Sequence, residues 1–252
     1  MSETGTYLYA IAHDTVADDL RHRIGVGDAE VRVIQDSGLS AAVSTVDLEQ
    51  FGEDALKRNL EDLGWVEKVA RSHDAVVADI ARQGPTAPLR ILTLYYDDDG
   101  VRSRLREQRA ELLEALSQVA GRSEWGVKAY EAAAVSATEH ARPAESGTAY
   151  LRRRREENTQ DLADSQAAAQ LAEEVHDLVR GLVVASHRLP PQDPRLSGRQ
   201  ETMTLNGTYL VDDARSNDLR ELITGIAAER PEVRIELHGP WPPYTFVGVD
   251  KS

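Results

Sequence analysis

The pattern of apolar and polar residues in the first half of the chain predicts alternating strands and helices. Residues 5–13, GTYLYAIAH, are dense in β-formers and predict a buried strand. Residues 30–46 predict a hairpin, because Asp36-Ser37-Gly38 supplies turn residues between two apolar runs. Apolar residues at three- and four-residue steps then predict a long helix that begins at Asp54 and ends before Gly84-Pro85.

Four further elements complete this half. The sequence predicts a short helix in residues 15–24, a strand at 89–97, a helix that follows Gly100, and a strand at 124–131. The resulting order is close to a ferredoxin-like βαββαβ unit with an added helix and strand. We therefore expect an α+β domain over residues 1–131.

The second half begins with a segment that has no hydrophobic period. Residues 132–145 predict a linker, and a helix of about forty residues follows it to residue 188. After a Pro-rich loop, the pattern predicts a strand at 202–213, a helix at 216–229 and a strand at 233–239. We expect a second, smaller α+β domain over residues 146–252, with a long helix and a Pro- and aromatic-rich tail.

Composition excludes several classes of function. The 252 residues carry 43 acidic and 29 Lys or Arg side chains, and this net charge of −14 argues against broad nucleic-acid binding. The absence of cysteine excludes disulfides, thiolate metal sites and cysteine nucleophiles. No signal pattern and no run of 18 uncharged apolar residues is present, so we expect a soluble cytoplasmic protein without a membrane partner.

Motifs of catalysis are also absent from the sequence. It has no Gly-rich phosphate loop, nucleophile elbow or zinc-binding helix, so we expect no catalytic residues, no metal and no cofactor. The acidic run in YYDDDG, residues 95–100, has two interpretations: a carboxylate metal site, or helix capping with solvated charge, which is the commoner arrangement. His73 lies near the apolar face of the long helix and is interpreted as a hydrogen-bonded packing residue.

The candidate binding residues lie mainly in the tail, HGPWPPYTFV at 238–247. Prolines stiffen this segment and hold its aromatic side chains in a fixed order at little entropic cost on binding. One interpretation is a rigid arm that packs on its own protein; the other is a surface that binds a partner. The candidate partner-binding residues are those of the tail and two on the predicted strand 89–97, where an arginine is unusual: Pro240, Trp241, Tyr244, Phe246, Arg90 and Tyr95.

Several segments, in the same order, resemble the gas vesicle GvpL/GvpF family. They span residues 5 to 247 and read YLYAIAH, PLRILTLYYDDDGVRSRL, EWGVKAYE, GTAYLRRRREE and VRIELHGPWPPYTFV. One departure is visible two residues after Arg90, where many members have Gly and this chain has Leu92. The resemblance implies a modified ferredoxin-like N-terminal domain and an α+β C-terminal domain joined through a long helix.

The resemblance also implies a function. It predicts a non-enzymatic accessory protein of gas vesicles, a minor shell component or assembly factor that contacts the small hydrophobic shell subunit (GvpA type) and other accessory Gvp proteins. We hypothesise that the aromatic tail and the sheet of the first domain help to cover the apolar surface of that subunit. The alternative is a ligand-sensing regulatory module, for which a ferredoxin-like fold alone is a weak argument.

Overall fold

The computed structural model describes residues 3–14, 23–131, 147–192, 201–231 and 233–248. The chain forms two compact units. The first contains Met1–Glu124 together with Pro240–Ser252, and the second contains Trp125–Gly239. Most of the short helix predicted in residues 15–24, and all of the linker predicted at 132–145, lie outside the described residues. The predicted domain boundaries stay a prediction.

The first unit is built on a five-stranded antiparallel sheet. Its strands are β1 (Thr4–His13), β2 (Val31–Asp36), β3 (Leu39–Asp47), β4 (Thr86–Pro88) and β5 (Leu94–Tyr95). They have the order β2-β3-β1-β4, and β5 pairs with the other part of β1. This is the strand order of a ferredoxin-like fold. In that fold, the two parallel strands of each βαβ unit have one antiparallel strand between them. The predicted α+β class is confirmed.

The predicted hairpin is confirmed in its turn and in its register. Ser37 and Gly38 both have positive φ angles, 56° and 78°, as the two central residues of a type I′ turn require. The pairing of Asp36 with Leu39 closes this turn. Because such a turn matches the right-handed twist of its strands, the short sequence Asp-Ser-Gly is sufficient to fix the hairpin.

Two predicted helices are each divided in the structure. The helices of the first unit are α1 (Leu48–Phe51), α2 (Glu53–Asn59), α3 (Leu63–Ala81), α4 (Asp98–Glu107) and α5 (Arg109–Val119). The helix predicted from Asp54 breaks because the Asp62 side chain accepts hydrogen bonds from the N–H groups of Gly64 and Trp65 and so caps a new helix. The helix predicted after Gly100 breaks at Gln108, whose φ of −99° and ψ of 15° are not helical.

The prediction of one strand over residues 89–97 was wrong. Strands β4 and β5 are separated by residues 89–93, in which Leu92 has a φ of 65°. A left-handed residue interrupts an extended strand, and here the hydroxyl of Tyr7 accepts a hydrogen bond from the Leu92 N–H at 3.0 Å. The backbone at Leu92 therefore favours Gly, the residue that the family resemblance implies at this position.

Both faces of the first sheet are covered within the first unit. Tyr7 and Tyr9 of β1 pack with apolar residues of α3, among them Val76 and Val77. On the opposite face, the Thr6 hydroxyl donates a 2.9 Å hydrogen bond to the first residue of α4. All residues of β1 from 5 to 12 are buried. The hypothesis that this sheet helps to cover a shell subunit stays a prediction.

The second unit contains the other sheet, in the order β7-β8-β6-β9. Its strands are β6 (Arg122–Glu131), β7 (Ala185–Arg188), β8 (Met203–Asp212) and β9 (Val233–Trp241), and its helices are α6 (Gly147–Arg180) and α7 (Ser216–Glu229). The strand predicted as the last of the first domain is β6, which belongs to this sheet. The long helix ends at Arg180 rather than at residue 188, because residues 185–188 pair with β8 as β7.

Apolar residues of α6 and α7 form the core of the second unit with this sheet. Val175 and Val179 of α6, Leu219 of α7, and Trp125 of β6 are buried in one cluster. Complete burial of side chains of this size contributes about 1.5–3 kcal/mol each. The buried residues of α6 in this cluster lie in its C-terminal half, and their packing fixes that half of the helix on the sheet.

Candidate partner-binding surface

The C-terminal arm, residues 240–248, packs on the first unit. The hydroxyl of Tyr244 donates a hydrogen bond to Oδ1 of Asp74 on α3, with an O–O distance of 2.8 Å. The backbone N–H and the hydroxyl of Thr245 both donate to the carboxylate of Glu124, at 2.8 and 2.7 Å. These contacts join residues that are more than a hundred positions apart, and they fix the arm in one place.

The sequence of the arm determines its local shape. Gly239, with a φ of 131°, lies near the end of strand β9 in a conformation that glycine adopts readily. The N–H of Tyr244 then donates to the carbonyl of Pro242 at 2.9 Å, and that of Phe246 to the carbonyl of Pro243 at 3.3 Å. These short-range bonds close a compact turn that the prolines make stiff before any partner binds.

The aromatic side chains of the arm differ in exposure, and Trp241 is the most exposed of them. Pro243 and Val247 are buried, and Phe246 is half-buried. Trp241, by contrast, exposes 57% of its surface and Tyr244 37%. The structure thus supports the interpretation of a rigid arm that packs on its own protein, and it leaves Trp241 as the member of the arm available to a partner.

A cluster of rings lies beneath the arm. His73 lies between Tyr7 and Tyr244, with ring centroids 5.8 and 6.3 Å apart, and its Nε2 lies 3.1 Å from the carbonyl oxygen of Leu89. Because a carbonyl can only accept, Nε2 carries the proton, and Nδ1 then accepts from the Tyr7 hydroxyl at 3.0 Å. His73 is fully buried, and its predicted role as a hydrogen-bonded packing residue fits these contacts.

Burial shifts the pKa values of this cluster. It lowers the pKa of His73, although the charge of Asp74 and the carbonyl of Leu89 act in the opposite direction. Burial also raises the pKa of Tyr7 and Tyr244, and for Tyr244 the neighbouring Asp74 adds to the effect. At neutral pH the cluster is therefore a set of neutral rings beside one carboxylate, which is an arrangement for packing and not for proton transfer.

Glu124 is the buried carboxylate on the other side of the arm. Burial raises its pKa, while the two hydrogen bonds from Thr245 favour the ionised form and oppose the shift. A buried carboxylate that lost these two donors would keep its desolvation penalty. The arm and Glu124 therefore stabilise one another.

The remaining two candidates, Arg90 and Tyr95, lie outside the arm. Arg90 is exposed and directly follows Leu89, whose carbonyl oxygen accepts from His73. Tyr95 lies on β5 opposite Thr6, and its hydroxyl accepts a 2.9 Å hydrogen bond from Arg104. The six candidate residues therefore belong to different parts of the first unit: four are in the arm, one follows β4 and one is in β5.

The acidic run at 97–99 has the geometry of capping and ion pairing. The Asp97 side chain accepts from the Gly100 N–H at 2.9 Å and caps α4. Asp98 accepts two hydrogen bonds from Arg32, at 2.6 and 2.7 Å, which lower its pKa together with the bond from Thr6. Among the described residues no group of three or more His, Asp or Glu could hold a metal ion.

Sequence reasoning missed the residues that anchor the arm. Asp74 is one of many polar residues on a long helix, and Glu124 is one of many acids in the first half of the chain. Neither has a local signal, because each acts through a contact formed by the far end of the chain. Strand β6 carries other polar residues as well, so Glu124 does not stand out in its sequence.

Comparison with known proteins assigns the chain to a family. The family model described as "Gas vesicle synthesis protein GvpL/GvpF" matches residues 5–248. The chain belongs to the GvpL/GvpF family. It is 39% identical to Gas vesicle protein L of Streptomyces sp. strain CB03234, over 96% of this chain and 92% of that protein. It is 26% identical to Gas vesicle protein F of the same strain, over 96% and 99% of the two chains.

Solved structures of GvpF proteins share the fold. The chain is similar to GvpF from Anabaena sp. PCC7120 with a TM-score of 0.66 and 20% identity, over 97% of this chain and 96% of that one. GvpF from Microcystis aeruginosa gives a TM-score of 0.67 at 16% identity, over 96% and 98%. The resemblance inferred from the sequence motifs is thus confirmed. The similarity to the GvpL/GvpF family covers nearly the whole chain, as do the motifs quoted from the sequence.

Proposed function

We propose that this chain is a non-enzymatic accessory protein of gas vesicle assembly, associated with the vesicle, that contacts the small hydrophobic shell subunit and other Gvp proteins. Membership of a gas vesicle synthesis family over residues 5–248 supports the role in gas vesicles. In the part of the chain that the structure describes, no helix is long and apolar enough to cross a membrane.

One observation carries the contact itself: Trp241 is 57% exposed on an arm whose neighbouring residues are anchored to Asp74 and Glu124. A large aromatic side chain on a stiff support binds at a small conformational cost, and Trp is the residue most enriched among binding hot spots. A shell subunit with a large apolar surface is the kind of partner that such a side chain would help to cover.

The two Streptomyces relatives suggest which paralogue this chain corresponds to. Identity is 39% with the L protein and 26% with the F protein of one strain, over nearly the same length. We therefore place the role proposed here closer to that of an L protein, which makes complementation of a strain lacking that protein a suitable assay.

The experiment is co-expression of the full chain with the small shell subunit of the same genome, followed by affinity purification and size exclusion. We expect a complex with the unmodified chain and a loss of about tenfold or more in recovered shell subunit with Trp241→Ala. The matched control is Leu178→Ala, which removes another large side chain, 53% exposed, from α6 of the second unit. If Trp241→Ala and the control recover equal amounts, Trp241 is not part of the contact.

A further inference from the structure

A groove in the first unit lies between α1 and α2 on one side and β5 on the other. Its volume is about 660 Å³, comparable to that of ligand pockets, but it is an open groove and not an enclosed cavity. Its large apolar lining residues come from these three elements and from the residue that follows β5: Leu48, Phe51, Leu56, Leu94 and Tyr96. Tyr96, at the edge, is 94% exposed, which is unusual for a large aromatic side chain without a partner.

The wall of this groove is rigid. The side chain of Asp47 caps α1 through the N–H of Glu49 at 2.8 Å, and Phe51 is buried beside Trp65 with ring centroids 5.5 Å apart. Gly52 joins α1 to α2, and a Cβ atom there would lie 2.5 Å from the carbonyl oxygen of Leu48. A side chain at this junction would clash with the backbone of α1, so the junction between α1 and α2 requires glycine.

The rim of the groove is acidic. Glu3, Glu49, Glu53 and Asp54 line it, and Arg58 is the basic residue of the lining. Glu53 and Asp54 pair with an exposed lysine on their own helix, at 2.9 and 3.4 Å. Glu3 and Glu49 are exposed and have no ion-pair partner among the described residues, so their charges are available to a ligand.

We propose that this groove binds an amphipathic helix of a partner protein, whose apolar side chains enter the groove and whose Arg or Lys side chains meet the acidic rim. A helix is favoured over an added strand because β5 has only two residues, too few for a ladder of backbone hydrogen bonds. A basic segment is favoured because of the rim and because the chain as a whole carries a charge of −14, which attracts cationic partners.

This inference deepens the proposed function. It rests on that function in one respect, because the partner is taken to be a Gvp protein. The groove also accounts for Tyr95, the candidate residue on β5, because Tyr95 lines it. Its side chain is held by the hydrogen bond from Arg104, so the ring keeps its orientation in the lining.

The test uses the purified full chain and a labelled peptide in which leucines at helical spacing are flanked by arginines, with fluorescence anisotropy as the measurement. Tyr96→Ser removes an exposed side chain without a described contact, and we expect it to weaken binding about tenfold. The double variant Glu3→Gln/Glu49→Gln breaks no internal ion pair, and we expect it to weaken binding about fivefold at low salt.

Two controls separate specific binding from attraction to an acidic protein. Glu111→Gln/Glu114→Gln removes the same charge from exposed positions of α5 and should change the dissociation constant less than twofold. A peptide with Glu in place of Arg should bind at least tenfold more weakly to the unmodified chain. Equal binding by the groove variants and the α5 variant would overturn the proposal.

The groove and the general function can fail separately. In one outcome, the unmodified chain and the groove variants recover the shell subunit equally from co-expression and also bind the peptide equally. The groove is then excluded as a binding site, while the proposed contact with the shell subunit is retained. The opposite result is also possible: the unmodified chain recovers no shell subunit, but the peptide binds the groove variants more weakly than the unmodified chain. The groove is then supported as a binding site, and the shell subunit is not its partner.

Discussion

The hydroxyl of Tyr244 lies 2.8 Å from Oδ1 of Asp74, and this hydrogen bond joins two residues 170 positions apart. It attaches the end of the chain to α3, the central helix of the first unit, next to the buried ring of His73. The C-terminal arm is therefore part of the packing of the first unit, and its contacts should be measurable as stability.

Tyr244→Phe keeps the aromatic ring and removes its hydroxyl. Because the hydrogen bond to the Asp74 carboxylate is then lost, we expect the free energy of unfolding of the first unit to fall by about 1–2 kcal/mol. Urea unfolding followed by tryptophan fluorescence measures it. Tyr96→Phe, which removes a hydroxyl from an exposed ring, is the control and should have no effect. A fall of equal size in both variants would argue against the Asp74 contact.

Stability should depend on pH through His73. Its pKa is lowered in the folded state, so between that value and 6.5 the unfolded chain binds more protons than the folded chain. The free energy of unfolding consequently falls as the pH drops below about 6.5 and is fully retained above it. His176 of the second unit contributes in the same direction, because burial also lowers its pKa.

A His73→Gln variant should therefore lose part of this pH dependence. We expect a smaller slope of unfolding free energy against pH between about 5 and 7 than in the unmodified chain, in addition to a general loss of stability from the buried contacts. Thermal unfolding across this pH range measures the slope. His187→Gln, at an exposed position, is the matched control. An unchanged slope in His73→Gln would mean that His73 does not titrate in this way.

Asp97 and Asp99 should differ in their effect on stability. Asp97→Ala removes the N-cap of α4 and should cost about 1 kcal/mol, whereas Asp99 is almost fully solvated and Asp99→Ala should cost less than about 0.5 kcal/mol. Denaturant titration of both variants measures the difference. Equal losses would contradict the capping geometry. If calcium addition stabilised the unmodified chain but not Asp97→Ala, the metal interpretation would be favoured instead.

Substitutions at Leu92 test the left-handed backbone that separates β4 from β5. Leu92→Ala and Leu92→Gly lose nearly the same packing against the core, but glycine adopts a φ of 65° without strain. We expect the glycine variant to be the more stable of the two by about 1 kcal/mol, the reverse of the usual order for a β-strand. An alanine variant as stable as the glycine variant would contradict the left-handed conformation.

The fold could be predicted from sequence wherever the signal is local. The hairpin at 31–47 follows from its turn residues, and β8, α7 and β9 follow from their hydrophobic periods. The errors occur where a distant residue decides the conformation. The Tyr7 hydroxyl holds the Leu92 N–H and interrupts the strand, and pairing with β8 changes the expected end of α6 into β7.

The same distinction applies to the candidate surfaces. Prolines and aromatics identified the arm, because their composition is local, but its anchors Asp74 and Glu124 are visible only in three dimensions. The groove itself was not predicted from the sequence, although Tyr95, one of the candidate residues, is in its lining. Its acidic rim combines a residue before β1 with residues of α1 and α2, and nothing in their sequence spacing indicates that they share a surface.

The placement of the arm also gives the chain an unusual connectivity. Because the first unit includes both Met1–Glu124 and Pro240–Ser252, the second unit is an insertion within it. A stop codon after Gly239 would therefore remove the arm from the first unit as well as the last two residues of β9, and Glu124 would lose both hydrogen bonds from Thr245. Expression of the first unit by itself would require its two coding segments to be fused, with a short loop in place of residues 125–239.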